Sequence, residues 1–390
     1  MSERFDIIVV GGGIVGLTAA IAMRQRDFSV AVIDAGAMTM NMAHPDSRVY
    51  AINQASQSLL QTLGVWQQLD KSRVSPYSHM HVWDAANGAC LDFDARMMGT
   101  DKLGAIIEES VIKHALLQQA SAEGVVFFPH HRVSAVETTV DEVQVLSDTK
   151  VWHASLLMVA DGAMSATRQL LDVAVTSWPY HQHAIVATVE TELSHQQTAY
   201  QVFNADGPLA FLPLSKAHQC SIVWSTTPTH AQTLMALSED DFNQQLTQAF
   251  AAKLGASRLL GTRHLFPLHM RHTRQYSGRR WLLMGDAAHS IHPLAGLGLN
   301  VGLADVSAWL ANLDASNSPA WSNKVLGAYQ RQRKSAVWKI IALMEGLKTL
   351  FINPTFPVTT LRGLGLRACN NLPALKRFFI EQAAGQDAKQ

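Results

Sequence analysis

The chain has 390 residues, 48% of them hydrophobic and only 16% charged, with 31 Lys and Arg against 31 Asp and Glu. Such sparse, balanced charge excludes a disordered tail protein and a polybasic nucleic-acid binder, and at roughly 100 to 200 residues per domain the length predicts two domains or one with a large insertion. Cys90, Cys220 and Cys369 are too far apart for zinc or CxxC spacing and cannot all pair with one another, which points to a reducing compartment.

The long uncharged run 7–23 does not read as a signal peptide or membrane anchor, because Glu3 and Asp6 flank Arg4 and three glycines, Gly11 to Gly13, interrupt it. It reads as strand 5–10, helix 14–26 and strand 30–33, with the turn between the first two forming a GxGxxG at Gly11, Gly13 and Gly16. The first glycine permits the tight turn, the second lets a pyrophosphate approach the backbone at the helix N-terminus, and the third lets helix pack on strand. Asp34 ends the second strand, where a carboxylate can accept hydrogen bonds from a ribose diol. Strand, helix, strand and terminal acid in this order predict a dinucleotide site.

Downstream, 103–122 carries a helical pattern, and 125–128, 132–136, 142–146 and 151–160 read as strands. The last runs into Asp161, Gly162, Ser165 and Arg168, which alone would be a turn followed by a solvated helix charge. A strand at 281–284 leads into Gly285, Asp286, Ala287, Ala288 and His289, then His292, Pro293, Gly296, Gly298, Leu299 and Asn300. Asp286, His289 and His292 have metal-ligand spacing on a helix, but Pro293 and the glycines break any helix there, so no metal is expected. There is no GxSxG of a nucleophilic hydrolase, and the GxGxxA at 363–368 lacks a preceding strand and reads as an incidental turn or helix end. Charges interrupt every later apolar run, including Lys339, Glu345 and Lys348 within 337–352, so no transmembrane helix is expected.

Three of these segments resemble those of single-component flavoprotein aromatic hydroxylases, the para-hydroxybenzoate hydroxylase class: the GxGxxG turn, the DGxxSxxR at Asp161 to Arg168, and the GDAAH with HPxxGxGxN from Gly285 to Asn300. The resemblance implies an α/β fold, a Rossmann-like FAD-binding domain with an inserted, mostly antiparallel substrate-binding sheet and a helical C-terminal segment. It divides the chain into FAD-binding parts 1–75, 100–175 and 265–345, substrate-binding parts 76–99 and 176–264, and the C-terminal segment 346–390. Implied cofactor contacts are Gly11, Gly13, Gly16, Asp34, Asp161, Gly162, Arg168, Gly285, Asp286, Gly296, Gly298, Leu299 and Asn300. Asp286 would bond the ribityl chain, and the helix starting near Asn300 would aim its dipole at the flavin.

Over nearly its full length the chain is similar, within that class, to the ubiquinone-biosynthesis hydroxylases. Asp46 to Ala51 looks like their DxRxxA, with Arg48 over the cofactor, and 103–108, 199–200, 206–214, 221–225 and 266–268 match further segments. Leu297, Ala304 and Glu109 depart from the usual glutamine, arginine and asparagine. The implied catalytic set is Pro293, His292 and Tyr200, although Tyr200 and Trp224 by themselves read as sheet residues packing a core.

The implied reaction is ring hydroxylation of a polyprenylated phenol with O2 and transient NADH or NADPH. The reduced flavin activates dioxygen at its own C4a carbon, so the protein supplies positioning and water exclusion. Two other readings are a flavin oxidoreductase without oxygen insertion and an accessory flavoprotein with structural FAD. The resemblance further implies a cytoplasmic protein peripheral to the inner membrane surface, in a ubiquinone-biosynthesis complex. The C-terminal stretch mixes Trp338, Ile341, Leu350, Phe351, Phe356, Phe378 and Phe379 with Lys339, Lys348, Arg362, Arg367, Lys376 and Arg377, which suits either an interfacial helix or packing on the FAD domain.

Overall fold

The structure is a computed structural model and describes residues 3–40, 42, 45–291, 297–352, 363 and 370. The β-branched strand Glu3–Val10 pairs in parallel with Val30–Ile33, and helix Ile14–Arg24 crosses between them. Leu17, Ile21 and Met23 of that helix are fully buried, as are Ala20 and Ala22, so the sheet and neighbouring helices enclose it on several sides. The helix stops two residues before the apolar spacing does, because Asp27 turns left-handed at φ 65° and Arg24 Nη1 donates to the Phe28 carbonyl.

Among the described residues the strands form three sheets. The first is parallel in its centre, in the order Trp281–Leu283, Val151–Val159, Glu3–Val10, Val30–Ile33 and Val126–Phe128. Val133–Thr138 and Val143–Ser147 extend it as an antiparallel flap on the Val151–Val159 strand. Parallel strands covered on both faces need apolar residues throughout, and Leu156 to Val159 are all fully buried.

The expected helix over 103–122 begins only at Glu109; its first residues form the strand Gly104–Glu108, flanked by Val49–Asn53 and Val74–Tyr77 in a small antiparallel sheet. Ile106 and Ile107 are buried on opposite faces of this strand, and so short an apolar run has no periodicity that separates strand from helix.

The third sheet is long and almost wholly antiparallel, in the order His289–Ser290, Ser257–Thr273, Val175–Thr191, Gln219–Thr226, Gly207–Pro213, Thr198–Asn204, His79–Asp84 and Cys90–Asp94. One face, with Ile185, Ala187, Phe211, Ile222 and Trp224, forms a core with Ala231, Leu234, Phe242 and Leu246 of helices Pro228–Ala236 and Glu239–Ala249. On the opposite face Gln201, Ala210, Val223, Val186 and His264 stand in one cross-strand row. Its neighbours Ala199, Leu212 and Leu214 pack with Tyr77 and Ile106 of the small sheet, so this face is turned toward the first half of the chain.

Helices Leu297–Asp314 and Asn323–Ile352 follow, joined by Trp309 against Tyr329 at 5.8 Å between rings. The second is 30 residues long and carries the chain past position 346. Most of 353–390 lies outside the described residues, and no described helix is long and apolar enough to cross a membrane.

Candidate active site

The glycine turn divides into packing positions and an open one. Gly11 sits at φ 110° against Ala160, where an added Cβ would overlap the Ala160 carbonyl, and a Cβ on Gly16 would overlap the Gly11 carbonyl oxygen. At Gly13 nothing lies within 4 Å of such a Cβ. Gly13 also begins helix Ile14–Arg24 without a side-chain cap, so the first N–H groups of the helix face that open space. Asp34 shapes the turn as well as ending the strand: one carboxylate oxygen accepts from Gly12 N at 2.6 Å and the other from Gly36 N at 2.7 Å.

Asp161 and Gly162 stand at the end of the neighbouring strand. The Asp161 carboxylate accepts from Thr167 N at 3.1 Å through one oxygen, while the other, Oδ1, is buried with no protein partner among the described residues. Gly162, at φ 88°, has open space where a Cβ would be. Arg168 is not a solvated charge. It is 4% exposed and donates to the Ala287 carbonyl at 2.9 Å and the Ala163 carbonyl at 3.1 Å, tying this segment to the Gly285 turn. Burial lowers its pKa, with Asp161 opposing.

Gly285 takes φ 56° against Val15, and Asp286 follows in a short turn. Asp286 is exposed to solvent, yet the protein surrounding it raises its carboxyl pKa by desolvation, against the pull of His289 and Arg48. A side chain that touches water while crowded by protein lies on the wall of a cleft. Arg48 and Tyr50 combine the same two properties: the Arg48 side chain is 58% exposed, and desolvation dominates the upward shift of the half-buried Tyr50 hydroxyl. The guanidinium lies 5.5 Å from the Tyr50 ring centre and 3.3 Å from Glu109. Desolvation works to lower the Arg48 pKa, but Tyr50, Glu109, Asp286 and Asp46 outweigh it, so it stays charged.

The chain matches a family model described as FAD binding domain over residues 4–343. It is 34% identical to the 3-demethoxyubiquinol 3-hydroxylase of Escherichia coli K12, covering 98% of this chain and 99% of that one. The ubiquinone hydroxylase UbiL of Rhodospirillum rubrum is 32% identical, over 97% of this chain and 89% of its own length. Human ubiquinone biosynthesis monooxygenase COQ6 is 30% identical, over 97% and 92% respectively. The chain belongs to the ubiquinone-biosynthesis hydroxylase family. In fold it is similar to the p-nitrophenol 4-monooxygenase PnpA of Pseudomonas putida, with a TM-score of 0.81 at 18% identity over the whole of both chains. It is also similar to Klebsiella pneumoniae HpxO, with a TM-score of 0.77 at 19% identity over 98% of this chain and 99% of that one.

This hydroxylase is an FAD-dependent enzyme, and its residues fit the cofactor. The open cradle at Gly13 and the crowded but wet Asp286 leave space that the protein does not fill, and Asp161 Oδ1 is a buried acceptor with no partner among the described residues. Gly298 is likewise open where a Cβ would stand. Helix Leu297–Asp314 begins before Asn300, and Leu299 packs against the main core. Asn300 is 6% exposed and its amide bridges to the Val49–Asn53 strand, donating to Ala51 O at 2.7 Å and accepting from Asn53 N at 3.0 Å. It thus anchors the helix beside the strand that follows Arg48.

Tyr200 is on the helix-covered face of the long sheet, 5.9 Å ring to ring from Phe250 and 6.0 Å from His81, together with Trp224 in the same core. Strand alternation turns Ala199 toward the small sheet and therefore Tyr200 away from it. His292, Pro293 and Gly296 lie outside the described residues. Sequence reasoning missed Asp305, Arg333 and Gly302. Asp305, fully buried, accepts from Gly285 N at 2.8 Å and Arg333 Nε at 2.6 Å, and its carboxylate is 2.7 Å from His289 Nε2. A Cβ on Gly302 would stand 2.8 Å from Val15. The one available signal was an acid in the otherwise apolar middle of a helix, which is costly unless paired.

Proposed function

We propose that this hydroxylase inserts one atom of O2 into a ring C–H of a polyprenylated phenol on the route to ubiquinone, the second atom leaving as water with two electrons from NADH or NADPH. The observation that carries this reading is likeness from end to end to hydroxylases named for ubiquinone and its precursor. FAD, when bound, supplies the oxygen activation. The chain's own groups do the rest. Gly13 and the first turn of helix Ile14–Arg24 receive the pyrophosphate, with Gly11 and Gly16 closing the turn that presents them, Asp34 takes the adenosine ribose, and Asp161, Gly162 and Asp286 the polar middle of the cofactor. Arg48, kept charged, covers one side of the cleft, with Arg168 holding two of its walls together. Gly285, Gly298, Leu299 and Asn300 shape the ring end; for Gly296, His292 and Pro293, outside the described residues, a role at the ring and the reacting position rests on the resemblance alone.

The row Gln201, Ala210, Val223, Val186 and His264 gives the substrate a floor whose middle, Ala210, Val223 and Val186, is small and apolar and excludes water, with the polar Gln201 and His264 at its ends. Tyr200 supports that floor from behind. In this reading 1–75, 100–175 and 265–345 serve FAD, 76–99 and 176–264 the substrate. The exposed Trp338 and Leu343 on helix Asn323–Ile352 support contact with a membrane surface, from which a long-tailed phenol is drawn. Reaction under isotopically heavy dioxygen tests the proposal: one heavy atom per product is expected, and product without label would overturn it. Mass spectrometry of the phenol that accumulates on gene deletion identifies the ring position.

A further inference from the structure

The Asp286 carboxylate has no hydrogen bond to another described side chain, so its direction into the cleft is set by the backbone of its own turn. That turn is held from behind. Asp305 Oδ2 accepts the Gly285 amide at 2.8 Å and lies 2.7 Å from His289 Nε2, one donor on each side of Asp286 in the chain. Asp305 Oδ1 accepts Arg333 Nε at 2.6 Å, and Arg333 also donates to the Val301 carbonyl at 3.1 Å. Asp305 is fully buried, so an unpaired charge there would be very costly, and the three donors fix its position. We propose that Asp305 is a positioning residue, which clamps Gly285 and His289 through one carboxylate oxygen and so aims Asp286 at the flavin, with Arg333 of the last long helix locking the clamp.

The inference rests on Asp286 being a cofactor contact, as the proposed function has it. Its geometry separates aim from mere stability. Gly285 needs φ 56°, and the same turn is braced by Arg168 on Ala287 and by Gly302 against Val15, so the fold around it has support besides Asp305. What Asp305 alone supplies is a single oxygen shared by the residues before and after the Asp286 turn. Charge-assisted hydrogen bonds of this kind typically change an equilibrium by about 10- to 100-fold.

The test is a double-mutant cycle on FAD dissociation from the holoenzyme, with the visible flavin spectrum and the thermal midpoint of the FAD-free protein as further readouts. Asp286→Asn and Asp305→Asn should each weaken FAD binding by about 10-fold or more and perturb the flavin bands alike, and the double variant should be no weaker than the poorer single one. Additive losses, or an unchanged FAD affinity with a lowered thermal midpoint, would overturn the clamp. Unaltered FAD binding in Asp286→Asn would instead overturn the cleft assignment, and the clamp with it. Should Asp305→Asn fail to fold, His289→Leu removes one donor from the same oxygen; its smaller loss must also vanish in the Asp286→Asn background, and an additive loss there overturns the proposal.

Discussion

The Gly11–Gly16 turn and the Gly285–Asp286 turn meet where Val15 lies against Gly285, but they are held in opposite ways. The first is held mostly within its own unit, by Gly16 packed against Gly11 and by Asp34 on the amides of Gly12 and Gly36, with Ala160 of the neighbouring strand against Gly11. The second is closed electrostatically by partners far along the chain, Asp305 and Arg333 on one side and Arg168 on the other. Steric closure requires glycine and therefore leaves a pattern in the sequence. Electrostatic closure requires only that an acid and a base arrive at one point, which leaves none.

The strongest way to break this contrast is Gly16→Ala. Its methyl would overlap the Gly11 carbonyl, so the first unit cannot close, and a stability loss of about 3 kcal/mol or more is expected in denaturant unfolding. A variant as stable as the wild type would mean that the turn is looser than described. Gly13→Val sharpens the comparison, because it lies in the same turn but meets open space. Here FAD should be lost while circular dichroism and the unfolding midpoint stay near those of the FAD-free wild type; full FAD occupancy would remove the pyrophosphate from this position.

A third expectation concerns pH and the buried surroundings of the second turn. His272 is 3% exposed, its ring lies 4.8 Å from that of Trp338 at a 48° tilt, and its Nε2 has no partner among the described residues. Burial, then His289 and Lys334, lowers its pKa from 6.5 to about 4. Between these values the unfolded chain takes up a proton that the folded protein refuses, so stability falls as pH drops from 6.5 toward 4. Replacing His272 by Phe should flatten that part of the pH–stability curve relative to wild type; parallel curves would place the acid sensitivity elsewhere. The smallest effect belongs to Tyr200→Phe. Because the ring packs against Phe250 on the covered face, turnover should change less than about 2-fold and stability by about 1 kcal/mol at most. A large fall in kcat would return Tyr200 to the substrate.

Much of the fold was legible where local demands are strict. The unit from Glu3 to Ile33 and the strand before Asp161 appear within a residue or two of expectation, since β-branched runs and glycine punctuation act over a few residues. Ile106 and Ile107 were misread as helix because burial on both faces erases the period of a short strand. Tyr200 entered the catalytic set by resemblance although by itself it reads as a core residue, and the face it occupies depends on the register of a sheet whose partners, His79–Asp84 and Gly207–Pro213, come from opposite sides of it in the chain.

By itself, then, the sequence determined the strand–turn–helix–strand unit from Glu3 to Ile33, the glycine turn within it and the strand that ends before Asp161. Only the tertiary structure decided that Arg168 is a buried tie, that Asn300 bridges helix to strand, and that Asp305 stands behind Asp286. The reason is range. The left-handed backbone that calls for glycine, as at Gly11, is a property of a short turn, whereas the value of a buried charge depends on which distant donors the completed fold brings within hydrogen-bond distance.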